Sequence, residues 1–331
     1  ALDVYAEKKG MVAPFEGSYR SIGYDAIYAA RLAVREINAA GGIRGARIEL
    51  VAYDDRGEVE LAQRTARNLT IDADVLAVVG HYRQETSSAA STIYAEAGLP
   101  AVVLGGWVGE MDRVWSMAPS PASLAAAMRA EAERQGATSA AVRGQDVVAE
   151  ALLASGVPDI VGASVDGLDL VYLMGTAVDG GEWLIARRVE GWEGSVIGGV
   201  DLALSDFGQI VGGHAGNAVV VTPYPFPADI EGIEAWVADY QSMGPHVSPP
   251  GPFAVPTYEA IYLIADAVAG VARADLVPAR ETVAAELANA HRDGWLGAVS
   301  WDAQGYWQTS TLFAYRWTEG VPTLVEQVTA R

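Results

Sequence analysis

The sequence predicts an α/β fold organised around two parallel β-sheets. In the N-terminal part of the chain, short apolar runs alternate with longer segments of helical periodicity, and the alternation resumes after Pro119 and Pro121. A chain of 331 residues is also long enough to bury two hydrophobic cores. Parallel strands need crossover connections, which helices supply, so we expect helices on both faces of each sheet.

The first helix is predicted over Tyr24–Ala40, because apolar residues from Ile27 to Ile37 recur at helical spacing and charged residues take the other face. The pair Gly41 and Gly42 ends it. The other expected elements of this half are a short apolar run over Met11–Ala13, strands over Arg47–Tyr53, Leu76–Gly80 and Ala101–Leu104, and helices over Leu61–Leu69 and Glu85–Ala97.

The second half repeats the alternation and ends differently. The expected helices are Ser123–Gln135, Asp146–Ala154, Glu182–Glu190, Thr257–Ala272 and Arg280–Ala290. The expected strands are Ser139–Val142, Leu168–Leu173, Ser195–Val200 and Val219–Val221. In the tail, aromatic and polar residues alternate over Ser300–Trp317, which is typical of a hairpin.

Composition excludes several classes of protein. The chain carries 22 Lys and Arg against 42 Asp and Glu, and this net charge of −20 disfavours nucleic acid and anionic membranes as partners. The absence of cysteine excludes disulfides and thiolate sites. The longest apolar stretches are about nine residues, too short to span a bilayer. A removed signal peptide would explain a start at Ala1, and so would a trimmed chain.

Signals for catalysis are weak. The four histidines are widely separated and lack metal-ligand spacing, and neither a nucleophile elbow nor a Gly-Lys-Ser/Thr phosphate loop occurs. The glycines at 41–45 follow a helix and precede a strand, which is the wrong order for a dinucleotide loop. We therefore expect a protein that is not an enzyme and has no cofactor and no metal.

Three stretches resemble a known family. They are Ala33–Asp55 with its Gly-Gly turn, Val78–Leu99 with its Val-Gly-His sequence, and Gly297–Gly305 with Trp-Asp-x-x-Gly near its end. The chain is similar in these stretches to the type I periplasmic solute-binding proteins of ABC transporters, on the branch that includes the leucine/isoleucine/valine-binding protein. The resemblance is much weaker over residues 120–215.

The resemblance implies two doubly wound lobes joined by three crossovers, with a ligand held in the cleft between them. We place lobe 1 at residues 1–118 plus 225–299 and lobe 2 at residues 119–224 plus 300–331, and the short stretch 143–167 leaves open a reduced second lobe. The implied function is capture of a small amino-acid-like or aromatic carboxylate solute and its delivery to an ABC transporter permease. The protein would act as a monomer in the periplasm or outside the cell. A ligand-sensing receptor ectodomain of the same fold is the first alternative, and an α/β enzyme is the second.

The loop at residues 81–85 is the first candidate for the site. It precedes a predicted helix, whose N-terminal N–H groups near Thr86 suit a ligand carboxylate, and Arg83 could add a charge-assisted contact. The alternative is structural: Arg83 pairs with a surface carboxylate, and Thr86 or Ser87 only caps the helix.

Two positions depart from the pattern that the resemblance implies. Where relatives carry small hydroxyl residues, this chain has Gln84 in the first loop and Gly105, Gly106 and Trp107 after the next strand. An indole cannot replace a hydroxyl clamp, since its single N–H only donates. We therefore expect the ligand to place a ring or an extended apolar portion against Trp107 and to differ from a simple branched-chain amino acid.

In the second lobe, the position that contacts ligand in relatives falls on Thr176. By the same resemblance, the acidic residue that pairs with a ligand ammonium group falls on or next to Asp201, where capping of a helix is the alternative. Three tyrosines complete the candidates: Tyr19, Tyr82 and Tyr224.

Overall fold

The computed structural model describes residues 6–106, 111–160, 164–271, 278–309 and 311–329. Contacts divide the chain into two compact units. Unit 1 comprises residues 1–118 and 226–308, and unit 2 comprises residues 119–225 and 309–331. The third crossover between the units therefore follows Gln308, whereas the sequence analysis placed it near Ser300. The reason is local, since Trp301 donates its indole N–H to the Leu287 carbonyl of unit 1 at 2.7 Å.

The first segment alternates strands and helices as the sequence predicts. Its strands are β1 (Ala6–Ala13), β2 (Arg47–Asp54), β3 (Val75–Val79), β4 (Ala101–Val103) and β5 (Val114–Ser116). Its helices are α1 (Arg20–Ala39), α2 (Val59–Ile71) and α3 (Gln84–Glu96). The five strands form one parallel sheet in the order β2-β1-β3-β4-β5.

The middle segment builds the parallel part of the sheet in unit 2. Its helices are α4 (Pro121–Arg134), α5 (Val147–Ala154), α6 (Ala177–Val189) and α7 (Ser205–Val211). Its strands are β6 (Ala140–Arg143), β7 (Leu170–Leu173), β8 (Ser195–Gly198) and β9 (Ala218–Thr222).

The last segment completes both units. It adds α8 (Glu234–Gln241), α9 (Ala254–Val271), α10 (Arg280–Ala288) and the short hairpin of β10 (Arg292–Gly294) and β11 (Gly297–Val299) to unit 1. It adds β12 (Thr311–Thr318) and β13 (Val321–Thr329) to unit 2, whose sheet order is β13-β12-β9-β8-β7-β6. Because β12 runs antiparallel to both β9 and β13, this sheet is mixed.

Two predicted elements are displaced. The hairpin expected over Ser300–Trp317 is formed by β12 and β13, and residues 300–308 instead make a turn held by an isolated bridge between Trp301 and Trp307. The helix expected from Glu182 begins at Ala177, because Thr176 accepts a hydrogen bond from the Asp179 N–H and caps it.

Each unit has its own apolar core. In unit 1, Val12, Leu69, Val78 and Tyr94 belong to one buried cluster that includes residues of the sheet, α2 and α3. The other face of this sheet is covered by α1 and α9, which pack against each other. In unit 2, buried residues of α4 and α5 pack on one face of the sheet.

Among the residues that the structure describes, one helix, α9, is long and apolar enough to cross a membrane by length and composition, with a mean hydropathy of 1.2. Of this helix, 72% is buried inside the folded chain, against α1, α10 and β3. It is the core helix of unit 1, and it begins at Ala254, whereas the sequence predicts a start at Thr257.

Candidate functional site

The candidate site of unit 1 is the loop at the carboxyl end of β3. The chain leaves β3 at Val79 and enters α3 at Gln84, so the loop spans four residues. A side chain at Gly80 would place its Cβ 2.0 Å from the Val12 carbonyl oxygen, and φ is +112° there, so glycine is required. The peptide bond between Gly80 and His81 is cis.

A row of buried hydrogen-bonded side chains, Asp55, His81 and Tyr94, supports this loop. His81 Nδ1 lies 2.5 Å from an Asp55 carboxylate oxygen, and His81 Nε2 lies 3.1 Å from the Tyr94 hydroxyl. A carboxylate oxygen accepts hydrogen bonds, so His81 Nδ1 donates to Asp55. Burial and the neighbouring Asp55 charge raise the pKa of Tyr94, which keeps its hydroxyl a donor.

The same carboxylate ties a second loop to the site. Asp55 directly follows β2, and its other carboxylate oxygen accepts the Gly57 N–H at 2.9 Å. Gly57 has φ +72°, and a Cβ there would lie 2.6 Å from the Tyr19 ring. The turn after β2 and the loop after β3 are therefore held together by one buried group.

Arg83 lies across these two loops. Its guanidinium donates to the Gly57 carbonyl at 3.1 Å and to Glu85 at 3.3 Å, and it lies 3.9 Å from the centroid of the Tyr19 ring. The side chain is 12% exposed. Arg83 therefore pairs with a surface carboxylate, that of Glu85, as the structural alternative expects. The N–H groups that bond to Gly57 and Glu85 are already used within unit 1.

The first turn of α3 presents backbone donors at this edge. Arg83 is the N-cap residue with extended backbone, and its side chain makes no capping bond. Thr86 donates its hydroxyl back to the Arg83 carbonyl at 3.2 Å, so this side chain does not cap the N–H groups of the turn. Gln84, the first residue of the helix, is half-buried, and Gly106 lies beside it.

The loop after β4 approaches the loop after β3 very closely. Gly105 donates its N–H to the His81 carbonyl at 2.9 Å. A Cβ at Gly105 would lie 2.5 Å from the Arg83 backbone nitrogen, which no side chain permits. The predicted contact residue Trp107 falls outside the residues that the structure describes.

The three tyrosine candidates differ in accessibility. Tyr19 is half-buried beneath the Arg83 guanidinium. Tyr82 is fully buried, its hydroxyl pairs with Thr257 at 2.9 Å, and its ring meets Phe253 edge-on, so packing in unit 1 accounts for it. Tyr224 is also fully buried, and burial raises its pKa.

The two candidates in unit 2 lie at the carboxyl ends of neighbouring strands. Thr176 follows β7 and uses its hydroxyl as the N-cap of α6, where it also pairs with the Asp179 carboxylate at 3.0 Å. Asp201 follows β8 in the short 3-10 helix Val200–Ala203 and is half-buried. Strands β7 and β8 are parallel neighbours, so these residues share one edge of the sheet.

The family model described as "Periplasmic binding protein" matches residues 8–171 and 160–321, which together span nearly all of the chain. The chain belongs to the periplasmic binding protein family.

Relatives place this periplasmic binding protein near the branched-chain amino acid branch. It is 24% identical to the leucine-specific-binding protein of Salmonella typhimurium over 94% of this chain and 90% of that protein. It is 38% identical to an amino acid binding protein of Pseudomonas aeruginosa over 96 residues, which span only 26% of that relative's length.

Solved structures share the fold of this periplasmic binding protein. The isoleucine complex of LivJ from Streptococcus pneumoniae superposes with a TM-score of 0.82 at 21% identity, covering 98% of this chain and 99% of that one. A solute-binding protein from Rhodopseudomonas palustris in complex with benzoate gives 0.79 at 18% identity, covering 98% and 97%.

Sequence reasoning missed Asp55 and Gly57 as parts of the candidate site of this periplasmic binding protein. The available signal was positional: Asp55 follows β2 and His81 follows β3, two strands on either side of β1, so the parallel sheet brings both carboxyl ends to one edge. No group of three or more His, Cys, Asp or Glu that could hold a metal occurs among the residues that the structure describes.

Proposed function

We propose that this chain captures a small solute that carries a carboxylate, amino-acid-like or aromatic, and delivers it to an ABC transporter permease. It works as a monomeric binding protein outside the cytoplasm and catalyses no reaction. The observation that carries the proposal is the loop at residues 80–83, where β3 passes into α3 and two glycine-containing loops approach it. A helix N-terminus offers N–H donors and positive potential, which suit a carboxylate.

Relatives support this class of solute. Proteins of the same fold are described in complex with isoleucine in one case and benzoate in another. The two ligands share a carboxylate and differ in the apolar portion. In this chain the carboxylate faces the start of α3, with the Arg83 charge nearby, and the apolar portion faces the loop that contains Trp107.

The test is a thermal-shift and calorimetric screen with matched pairs: leucine with leucinamide, phenylalanine with its amide, and benzoate with benzamide. We expect at least one carboxylate to bind and its amide to fail. A ligand at about 100 times its Kd adds about 2.7 kcal/mol to the free energy of unfolding, which raises the Tm by a few degrees. Equal binding of an acid and its amide would contradict the proposal.

Arg83→Ala tests the charge at the site. A charge-assisted contact contributes about 1.5–3 kcal/mol, so the variant should bind the carboxylate ligand at least about tenfold more weakly. Glu85→Ala is the matched control, because it frees the Arg83 guanidinium from the Glu85 carboxylate and should preserve or strengthen binding. Unchanged affinity in Arg83→Ala would remove this residue from the site.

A further inference from the structure

Positive charge is concentrated on one flank of unit 1, although the chain as a whole carries −20. A groove of about 480 Å³ lies between α1 and β2. Three arginines line it, Arg31 and Arg35 from α1 and Arg47 from β2, and Val34 and Leu50 supply apolar surface between them. The groove therefore combines a basic rim with an apolar wall.

Two of these arginines have donors to spare. Arg31 and Arg47 are exposed, and neither forms a salt bridge or side-chain hydrogen bond with any residue that the structure describes. Arg35 is partly engaged, with Ser242 at 3.2 Å and Asp239 at 3.6 Å. Arginine presents five N–H donors in a planar fork, so each open guanidinium can hold a carboxylate.

The strand beside the groove has an open edge. Within the described residues β2 pairs with β1 alone, and it forms the end of the sheet. Asn38 accepts the Ile48 N–H at 2.8 Å and donates to the Ile48 carbonyl at 2.9 Å, so these backbone groups point away from β1. Orientation alternates along a strand, so Leu50 and Ala52 present their N–H and C=O groups in the same outward direction.

We propose that an extended acidic segment of a partner protein docks here by adding a strand to the free edge of β2. Its backbone pairs with Leu50 and Ala52, and its carboxylates pair with Arg31 and Arg47. Main-chain hydrogen bonds give such complexes affinity and alternate side chains give them specificity. This interaction is separate from solute binding, since it uses no residue of the loop at residues 80–83.

The charge pattern defines the partner's sequence. Successive side chains of a strand point to opposite faces, and Glu49 lies on the face of β2 opposite Leu50. Carboxylates on the face of α1 meet Arg31, and Arg47 lines the same groove from the start of β2. Carboxylates farther along the other face would be repelled by Glu49. The partner segment should therefore alternate acidic with small neutral residues.

The test uses fluorescently labelled eight-residue peptides and the full chain. An alternating Glu-Thr peptide should bind by fluorescence anisotropy, more weakly at high salt, whereas an alternating Lys-Thr peptide should not. The Arg31→Glu, Arg47→Glu double variant should bind at least about tenfold more weakly, because both carboxylate partners become repulsive. Arg64→Glu, at an exposed position on α2, is the matched control and should keep wild-type affinity.

Removing backbone N–H donors distinguishes strand addition from simple charge attraction, because only strand addition needs main-chain hydrogen bonds. Ala52→Pro removes an outward N–H at an edge position that tolerates proline, and should weaken binding of the Glu-Thr peptide at least about tenfold. A Glu-Thr peptide N-methylated at alternate residues tests the same bonds on the wild-type chain if that variant does not fold. Retained affinity of the methylated peptide, or of the double arginine variant, would overturn the proposal. Self-association of the wild-type chain that Ala52→Pro abolishes would also overturn it, since a second copy would then occupy the edge.

Discussion

Glycine at position 105 determines how closely two loops can meet at the carboxyl edge of the sheet in unit 1. The loop after β4 touches the backbone of Tyr82 and Arg83 through this residue, and its N–H bonds to the His81 carbonyl. A single added carbon would therefore move the loop that the solute is proposed to contact.

Gly105→Ala should lower the free energy of unfolding by about 1–3 kcal/mol, because the added Cβ meets backbone atoms that cannot move aside. Urea denaturation measures the change. Gly213→Ala is the control, since a Cβ there meets nothing within 4 Å, and its stability should stay at or slightly above that of the wild type. Wild-type stability in Gly105→Ala would mean that the loop can shift freely.

Asp25 is a second residue whose surroundings make a measurable prediction. This residue of α1 accepts the backbone N–H groups of Gly251 at 2.6 Å and Phe253 at 2.7 Å, and so it caps the approach to α9. Burial of the carboxylate outweighs these hydrogen bonds and raises its pKa to about 7. The folded chain therefore holds a proton that the unfolded chain releases near pH 4.

A raised pKa in the folded state means that the stability contributed by this proton is complete below about pH 4 and is lost as the pH rises to about 7. Relative to Asp25→Asn, which cannot titrate, the wild-type free energy of unfolding should fall over this range by up to about 1.4 kcal/mol per pH unit. The comparison uses the slope of the free energy of unfolding against pH. A constant difference in stability between the two proteins does not affect it. Parallel pH profiles would show that Asp25 is ionised throughout.

At the scale of elements, one arginine joins three segments of unit 1. Arg280, the first residue of α10, donates to the carbonyl oxygens of Thr70 at 3.0 Å, Asp72 at 2.5 Å and Val75 at 2.8 Å. The last carbonyls of α2 lack partners within the helix, and Arg280 satisfies one of them while it fixes the turn into β3.

Arg280→Ala should lower the free energy of unfolding by about 2–3 kcal/mol, because three carbonyl groups lose a charged donor. Arg280→Lys keeps the charge with a single donor group and should recover only part of the loss. Arg67→Ala, at an exposed position on α2, supplies the baseline in the same urea titrations and should change stability by less than about 0.5 kcal/mol.

The sequence predicted the alternating elements well where periodicity alone decides them, as in α1, α3 and β3. It failed where tertiary contacts override local preference. The helix predicted from Glu182 begins at Ala177, and Gly181 lies inside it against Ile210, where a Cβ would come within 2.7 Å. The site was predicted as a loop and a helix start, but not the buried Asp55 beneath it, because only the fold brings β2 beside His81.

For the whole molecule, net charge is the dominant electrostatic property. With 42 acidic and 22 basic side chains, the compact chain repels itself. Raising NaCl from about 0.01 M to about 0.15 M shortens the screening length from about 30 Å to about 8 Å. We expect the Tm to rise by a few degrees over this range, measured by circular dichroism. A sugar titration at the same osmolality is the control, and a fall in Tm with salt would contradict the expectation.

Each unit is built from two segments that lie far apart in the sequence, and this affects folding during synthesis. The apolar face of α1 is covered by α9, which begins only at Ala254, and the sheet of unit 2 is finished only by β12 and β13. At about 5–20 residues per second, a ribosome needs at least about ten seconds between α1 and α9. Neither core can close until most of the chain has been synthesised. The nascent polypeptide therefore stays accessible to chaperones that bind unfolded chains. For the proposed role outside the cytoplasm, it also stays accessible to a channel that exports unfolded chains.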